Sequence, residues 1–162
     1  MILGMSASTF TNLHVVISLV GIAAGLIVLY GMLEAKRLPG WTGLFLTATI
    51  LTSVTGFFFP AEHLLPSHVV GILSLAVLAL ALAALYLYHL GGAWRWIYVV
   101  CALVALYFNC FVGVVQAFQK IPAVHALAPT QAEPPFLIAQ LVVLAIFVVL
   151  GFLAVKRFHP AR

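Results

Sequence analysis

A chain of 162 residues that is 65% hydrophobic and only 6% charged, with a mean hydropathy of +1.26, cannot fold as a soluble domain. Surface-to-volume scaling would leave too much of that apolar surface in water. The net charge of +4 is carried by few residues, in short pairs beside apolar segments without a basic run, so it gives no sign of nucleic-acid binding.

Met1 to Asn12 contain no Lys or Arg, so a charged signal-peptide leader is missing and the first apolar segment is expected to be retained as a helix. A hydropathy window of about 19 residues then finds five segments long enough to span a bilayer. They run near Leu13–Leu33, Trp41–Phe59, Val69–Leu90, Ile97–Phe118 and Phe136–Val155. The breaks between them, Glu34–Gly40, Pro60–His68, Gly91–Trp96 and Gln119–Pro135, all contain Pro or Gly, which stop or turn a helix. Transmembrane strands are excluded, because the segments are too long and lack polar–apolar alternation. The expected fold is all-α and integral to the membrane, a single five-helix transmembrane domain over residues 1–162.

The first segment carries His14, Ser18, Gly21 and Gly25 at steps of four, three and four, a stripe about 60° wide. Small residues on such a stripe let a neighbouring helix, or a flat ligand, approach closely. The second adds Thr52, Ser53 and Thr55, and the break after it holds Glu62, His63, Ser67 and His68. Ser67 is placed to cap the third helix, and Glu62 to act as a ligand or as an acceptor behind one. The spacing of His63 and His68 differs from the step of four of a helical zinc pair. The fourth segment carries Asn109, Gly113, Gln116 and Lys120 at the same steps of four, three and four. That reads either as a polar track or as an interhelical hydrogen bond at Asn109. Cys101 and Cys110 lie nine apart on that helix, on opposite faces, and read as small apolar residues. Gln140 follows on the fifth segment.

The cations orient the bundle. Lys36, Arg37, Arg95, Lys156, Arg157 and Arg162 share one side if there are five spans, with only Lys120 opposite. The positive-inside rule therefore puts the N-terminus outside and the C-terminus in the cytoplasm, in a bacterial inner (plasma) membrane. Trp41, Trp94, Trp96, Tyr30, Tyr86 and Tyr88 gather at the cytoplasmic boundary, where amphipathic rings settle. Four of the six histidines, His14, His63, His68 and His125, fall on the outer side, with His89 and His159 opposite. A weak repeat relates His14, Tyr30 and Trp41 to His68, Tyr86 and Trp94 at an offset near 54 residues, as a parallel duplication about the membrane normal would.

Phosphate loops, Gly-x-Ser-x-Gly, Cys-x-x-Cys and His-Glu-x-x-His are absent from the sequence, so no motif assigns an enzymatic reaction. The chain holds only three acidic residues, none in a span, which excludes a carboxylate-bridged di-iron enzyme or a carboxylate-driven pump. In general build it is similar to small bacterial inner-membrane proteins, and it shares histidines in an antiparallel bundle with membrane b-type cytochromes. Those cytochromes set their ligands inside the spans, as here only His14 is set. That likeness implies haem b.

Three functions follow as expectations. The first is a redox protein binding haem b, or copper or iron, through outer-face histidines. His14 and His68 would be axial ligands with Ser18, Gly21 and Gly71 beside the ring, or a metal ion would recruit His14, His63, His68 and His125. Its partners would be the bilayer, a quinone or a redox protein, and a second copy of the chain. The second is a binding or transport protein for a small solute, quinone or ion, along Asn109, Gln116 and Lys120. The third is a structural or assembly subunit of a membrane complex.

Overall fold

A computed structural model describes residues 2–61, 63 and 66–160; Glu62 and Arg162 lie outside the described residues. Six helices form, with no strand among the described residues: α1 (Ala7–Leu33), α2 (Pro39–Gly56), α3 (Pro66–Leu82), α4 (Trp94–Lys120), the single turn α5 (Pro122–His125) and α6 (Pro134–Arg157). A π-helical turn, Ala83–Leu87, extends α3. Four helices are long and apolar enough to cross a membrane: α1, α3 with its π turn, α4 and α6. The chain is a multi-pass helical membrane protein.

Every one of the long helices starts before its apolar segment, α1 because its end is capped. Ser6 accepts the Thr9 amide at 3.1 Å, and Thr11 bonds the Ala7 carbonyl at 2.8 Å. The polar residues before Leu13 thus enter α1, six residues earlier than hydropathy alone places its start. Pro39 and Pro134 occupy first-turn positions of α2 and α6, where the missing amide costs nothing. Pro66 likewise opens α3, so Ser67 lies inside its first turn instead of capping it. The α1–α2 turn closes with Ala35 in the left-handed region (φ 55) and the Lys36 amide on the Gly31 carbonyl at 2.8 Å. Ahead of α6, Thr130 donates to the Glu133 carboxylate through its hydroxyl at 2.8 Å. Against a desolvation that raises it, this bond and the backbone bonds of the turn hold the Glu133 carboxyl below the ordinary carboxylate range.

Successive long helices run antiparallel, and α4 is the centre, packed on α1, α3 and α6. Glycine sets the closest approach. A Cβ on Gly25 would meet Leu106 Cδ1 at 2.5 Å and the Phe45 ring at 2.9 Å, so α1, α2 and α4 touch there with no room for a methyl. Around that point Ala24, Leu78, Val99, Ala102 and Ala105 are buried. By contrast α6 lies on the outside of the bundle, burying only Gln140 and Ala154. Gln140 Nε2 donates to the Phe111 carbonyl at 3.2 Å. Arg95 Nη1 donates to the Val155 and Phe158 carbonyls at 2.8 and 2.9 Å, satisfying the C-terminal turn of α6. The rest of α6, including Leu137, Leu141, Val148 and Phe152, is exposed, an apolar face suited to lipid.

The helix omitted from the four is α2. Its 18 residues include Thr42, Thr47, Thr49, Thr52, Ser53 and Thr55, which lower its hydropathy. All but the exposed Thr47 are buried or half-buried. Ser53 donates to Ser74 of α3 at 3.2 Å, and Asn109 Nδ2 of α4, only 9% exposed, donates to Thr49 Oγ1 at 3.3 Å. Asn109 is thereby the interior interhelical donor that its place in the fourth segment implies. Asn109→Leu removes this bond and leaves Thr49 without its donor, so stability falls by about 1 kcal/mol, a typical interhelical value. Thermal unfolding in detergent measures it, and an unchanged or raised midpoint contradicts the role.

Candidate functional site

At one end of the bundle α1, α2, α3 and α4 diverge around a cavity of about 250 Å³. His14 and Ser18 of α1 line it, with Thr52, Ser53 and Gly56 of α2, His68, Gly71 and Ser74 of α3, and Asn109, Gly113, Gln116 and Lys120 of α4. The histidine stripe of the first segment and the polar stripe of the fourth therefore face one space. Between the polar groups the walls are apolar, with Leu19, Ile22, Phe108 and Val112 prominent. Lys120 is exposed at the mouth, whereas Asn109 is buried at the depth of Thr49.

His14 is held in a defined state. Its Nδ1 lies 2.7 Å from Thr55 Oγ1, and that hydroxyl lies 2.6 Å from the Leu51 carbonyl of its own helix. A carbonyl only accepts, so the single threonine proton goes to Leu51 and the imidazole donates through Nδ1–H. Nε2 then carries the lone pair, available to accept a proton or a hydrogen bond or to bind a metal. The edge of the Phe59 ring packs against the imidazole, with centroids 5.1 Å apart at 86°. Ser18 donates back to the His14 carbonyl at 2.7 Å, which leaves its oxygen as an acceptor.

The remaining expected site residues divide. His68 lines the cavity and stacks on Phe57, with ring centroids 5.6 Å apart at 12°. That same ring fills the notch of Gly71, where a Cβ would meet Phe57 Cζ at 3.1 Å. Gly21 is buried beneath the cavity, faced by Thr49 Oγ1, Ala48 and Asn109 at 3.4 to 3.6 Å. The space beside these two glycines, expected to receive a flat ring, is occupied by protein side chains. His63 is exposed and does not line the cavity. His125 is exposed on α5, and its Nδ1 donates to the Phe118 carbonyl at 2.9 Å. Its part is to tie α5 to the end of α4. Among the described residues no three His, Cys, Asp or Glu side chains gather where they could hold a metal ion.

Ser74, Phe57 and Phe108 are among the lining residues that escape the sequence reading. Ser74 was legible, since His68, Gly71 and Ser74 recur at steps of three on one face. Phe57 and Phe108 were not, because nothing distinguishes them from the other ten phenylalanines before the helices are packed. No family model matches the chain, and neither a curated protein nor a solved structure matches it.

The tautomer argument is testable at Thr55. Thr55→Val removes the acceptor of Nδ1–H, and the His14 ring is expected to shift toward the Nε2–H tautomer. Nitrogen-15 spectra of histidine-labelled protein distinguish the two forms. A His14 signal already of the Nε2–H type in the unaltered protein overturns the assignment.

Proposed function

We propose that this protein binds a small, flat, hydrogen-bonding solute in the four-helix cavity, and that a quinone head group is the class that fits best. The observation that carries the reading is the convergence of His14, Asn109, Gln116 and Lys120 on one largely apolar cavity. An apolar cavity with a few placed polar groups is the usual form of a small-molecule site. Lys120, Gln116 and Asn109 supply donors for carbonyl oxygens, and Nε2 of His14 supplies an acceptor for a hydroxyl. At about 250 Å³ the space lies below the roughly 300–1,000 Å³ of pockets for drug-sized ligands, which favours a single ring over a tetrapyrrole. Phe57, seated in the Gly71 notch, takes up room that a macrocycle would need.

Purified protein in lipid nanodiscs is expected to bind a short-tailed quinone saturably by calorimetry. His14→Leu and Gln116→Leu each weaken it about tenfold, the loss of one hydrogen bond of about 1.4 kcal/mol, while His63→Ala has no effect. Absence of saturable binding rejects the reading.

A second reading keeps the histidines as ligands for haem b or for copper or iron in electron transfer. The lone pair on Nε2 of His14, in a cavity shared with His68, favours it. A Soret band or stoichiometric copper or iron in the purified protein, lost in His14→Ala, would establish it in place of the first.

For topology we infer five spans in a bacterial plasma membrane, N-terminus outside. The support is that α2, at 18 residues, is about 27 Å long, close to the roughly 30 Å hydrocarbon core. It also shields its threonines, the exposed Thr47 apart, against neighbouring helices. Lys36, Arg37, Arg95, Lys156 and Arg157 then lie inside, as the positive-inside rule asks. Reporter fusions after Pro39 and Gly92 should read cytoplasm, and one after Ala128 outside. A cytoplasmic signal at Ala128 overturns this topology.

A further inference from the structure

The opposite end of the bundle holds a second cavity, also of about 250 Å³. Its polar walls come from two turns far apart in sequence. Lys36, Arg37 and Thr42 belong to the α1–α2 connection and the start of α2, Tyr86 and His89 to the turn after α3, and Tyr98 to α4. Both turns are held in uncommon backbone conformations. Ala35 has φ 55, and His89 and Leu90 follow one another at φ 47 and 59. Consecutive left-handed residues other than glycine persist only where the surroundings impose them. Here the Leu90 amide bonds the Ala84 carbonyl at 2.9 Å, and the Tyr88 amide bonds Ala83 at 3.0 Å. The result is that two cationic side chains and an imidazole, exposed on backbone that is held in place, line one cavity.

Of the three acidic residues in the chain, Glu34 is exposed in the same α1–α2 turn, Glu62 lies outside the described residues, and Glu133 precedes α6 at the other end of the bundle. No carboxylate pairs with Lys36 or Arg37 among the described residues. The carbonyls at the end of α1 are already taken by the Glu34 and Lys36 amides. Meanwhile the N-terminus of α2, the positive end of its dipole, borders the same space through Pro39 and Thr42. Tyr98, 2% exposed, sets its hydroxyl by Thr42 and within the field of Arg37. Lysine, arginine, imidazole and phenol donors around a small cavity make a site for a tetrahedral oxyanion. Below them Val28, Met32 and Leu85 give the cavity an apolar flank that free phosphate does not need and an acyl chain would use.

We propose that this second cavity binds a phosphate group through Lys36, Arg37, His89 and Tyr98, supplied either by a phospholipid head group or by free phosphate. The site is independent of the first cavity and of the ligand assigned there. Two arms separate the sources: nanodiscs of phosphatidylcholine with and without phosphatidylglycerol, read by retention of the anionic lipid in native mass spectrometry, and inorganic phosphate added to protein in phosphate-free detergent, read by phosphorus-31 line broadening. Arg37→Gln is expected to lower retention or broadening about tenfold. His89→Asn, which keeps a side chain tolerant of the left-handed backbone, does the same, and the circular-dichroism melt in phosphatidylcholine serves as the folding control for both. Loss in the lipid arm alone identifies the head group, and loss in the phosphate arm alone identifies the free anion. The proposal is overturned if neither probe binds the unaltered protein, or if both variants fold and bind as it does.

Discussion

Where no water reaches, a threonine has to place its single proton before anything else can be built around it. On α2 Thr49, Thr52 and Thr55 give theirs to the carbonyls of Phe45, Ala48 and Leu51, at 2.7, 2.9 and 2.6 Å. Such back-bonding leaves each hydroxyl oxygen facing outward as a pure acceptor. Donors on the neighbouring helices then have only one place to go: Asn109 of α4 reaches Thr49, and His14 of α1 reaches Thr55. The direction of each interhelical bond is set by the internal one. Each contributes little singly, on the order of 1 kcal/mol in membrane proteins. Their larger effect is to fix which faces meet and which nitrogen of His14 keeps its proton.

Close packing makes those short bonds reachable. Gly21 lets Thr49 and Asn109 come within 3.6 Å of where its side chain would start, and Gly25 one turn on accepts Leu106 and Phe45. The stripe that admits either a helix or a flat ligand is filled by helix at both positions. The cavity begins one turn above, at Ser18 and His14, where the helix side chains no longer interdigitate. The same small residues thus close the middle of the bundle and leave its end open.

Much of this was legible from periodicity alone. The helical class and the long apolar helices follow from segment length, and the interior position of Asn109 follows from the cost of an amide in lipid. Spacing marked one polar stripe on α1 and one on α4, but that the two face a common cavity is seen only once the helices are packed. What periodicity does not carry is order within a turn. The π turn at Ala83–Leu87, the left-handed pair His89 and Leu90, and the short helix α5 depend on local hydrogen bonds that no apolar pattern signals. The hydropathy window picks out the segment of α2, but its threonines and serine leave it more polar than the other four long helices, and most of those hydroxyls are buried or half-buried against neighbouring helices. The four-histidine grouping failed as a cluster for a related reason: a shared side of the membrane is far coarser than a shared cavity. His125 found a carbonyl and His63 remained exposed.

The two cavities lie at opposite ends of one bundle, and the matter between them bears on what the protein can do. Below Asn109 and Thr49 the Leu106 and Phe45 side chains press against Gly25, and Leu78, Val99 and Ala105 are each no more than 1% exposed. The polar stripe of α4 stops at Asn109, and the next four residues toward the basic end, Phe108, Tyr107, Leu106 and Ala105, are aromatic or aliphatic. An ion or polar solute passing this layer would have to shed its hydration without replacement donors. In this conformation the histidine end is therefore a blind pocket, which argues for retention of a ligand over conduction. Movement of a solute across would require α1 and α2 to separate from α4 at Gly25. The tightness of that contact makes it the place where a conducting state would have to differ most.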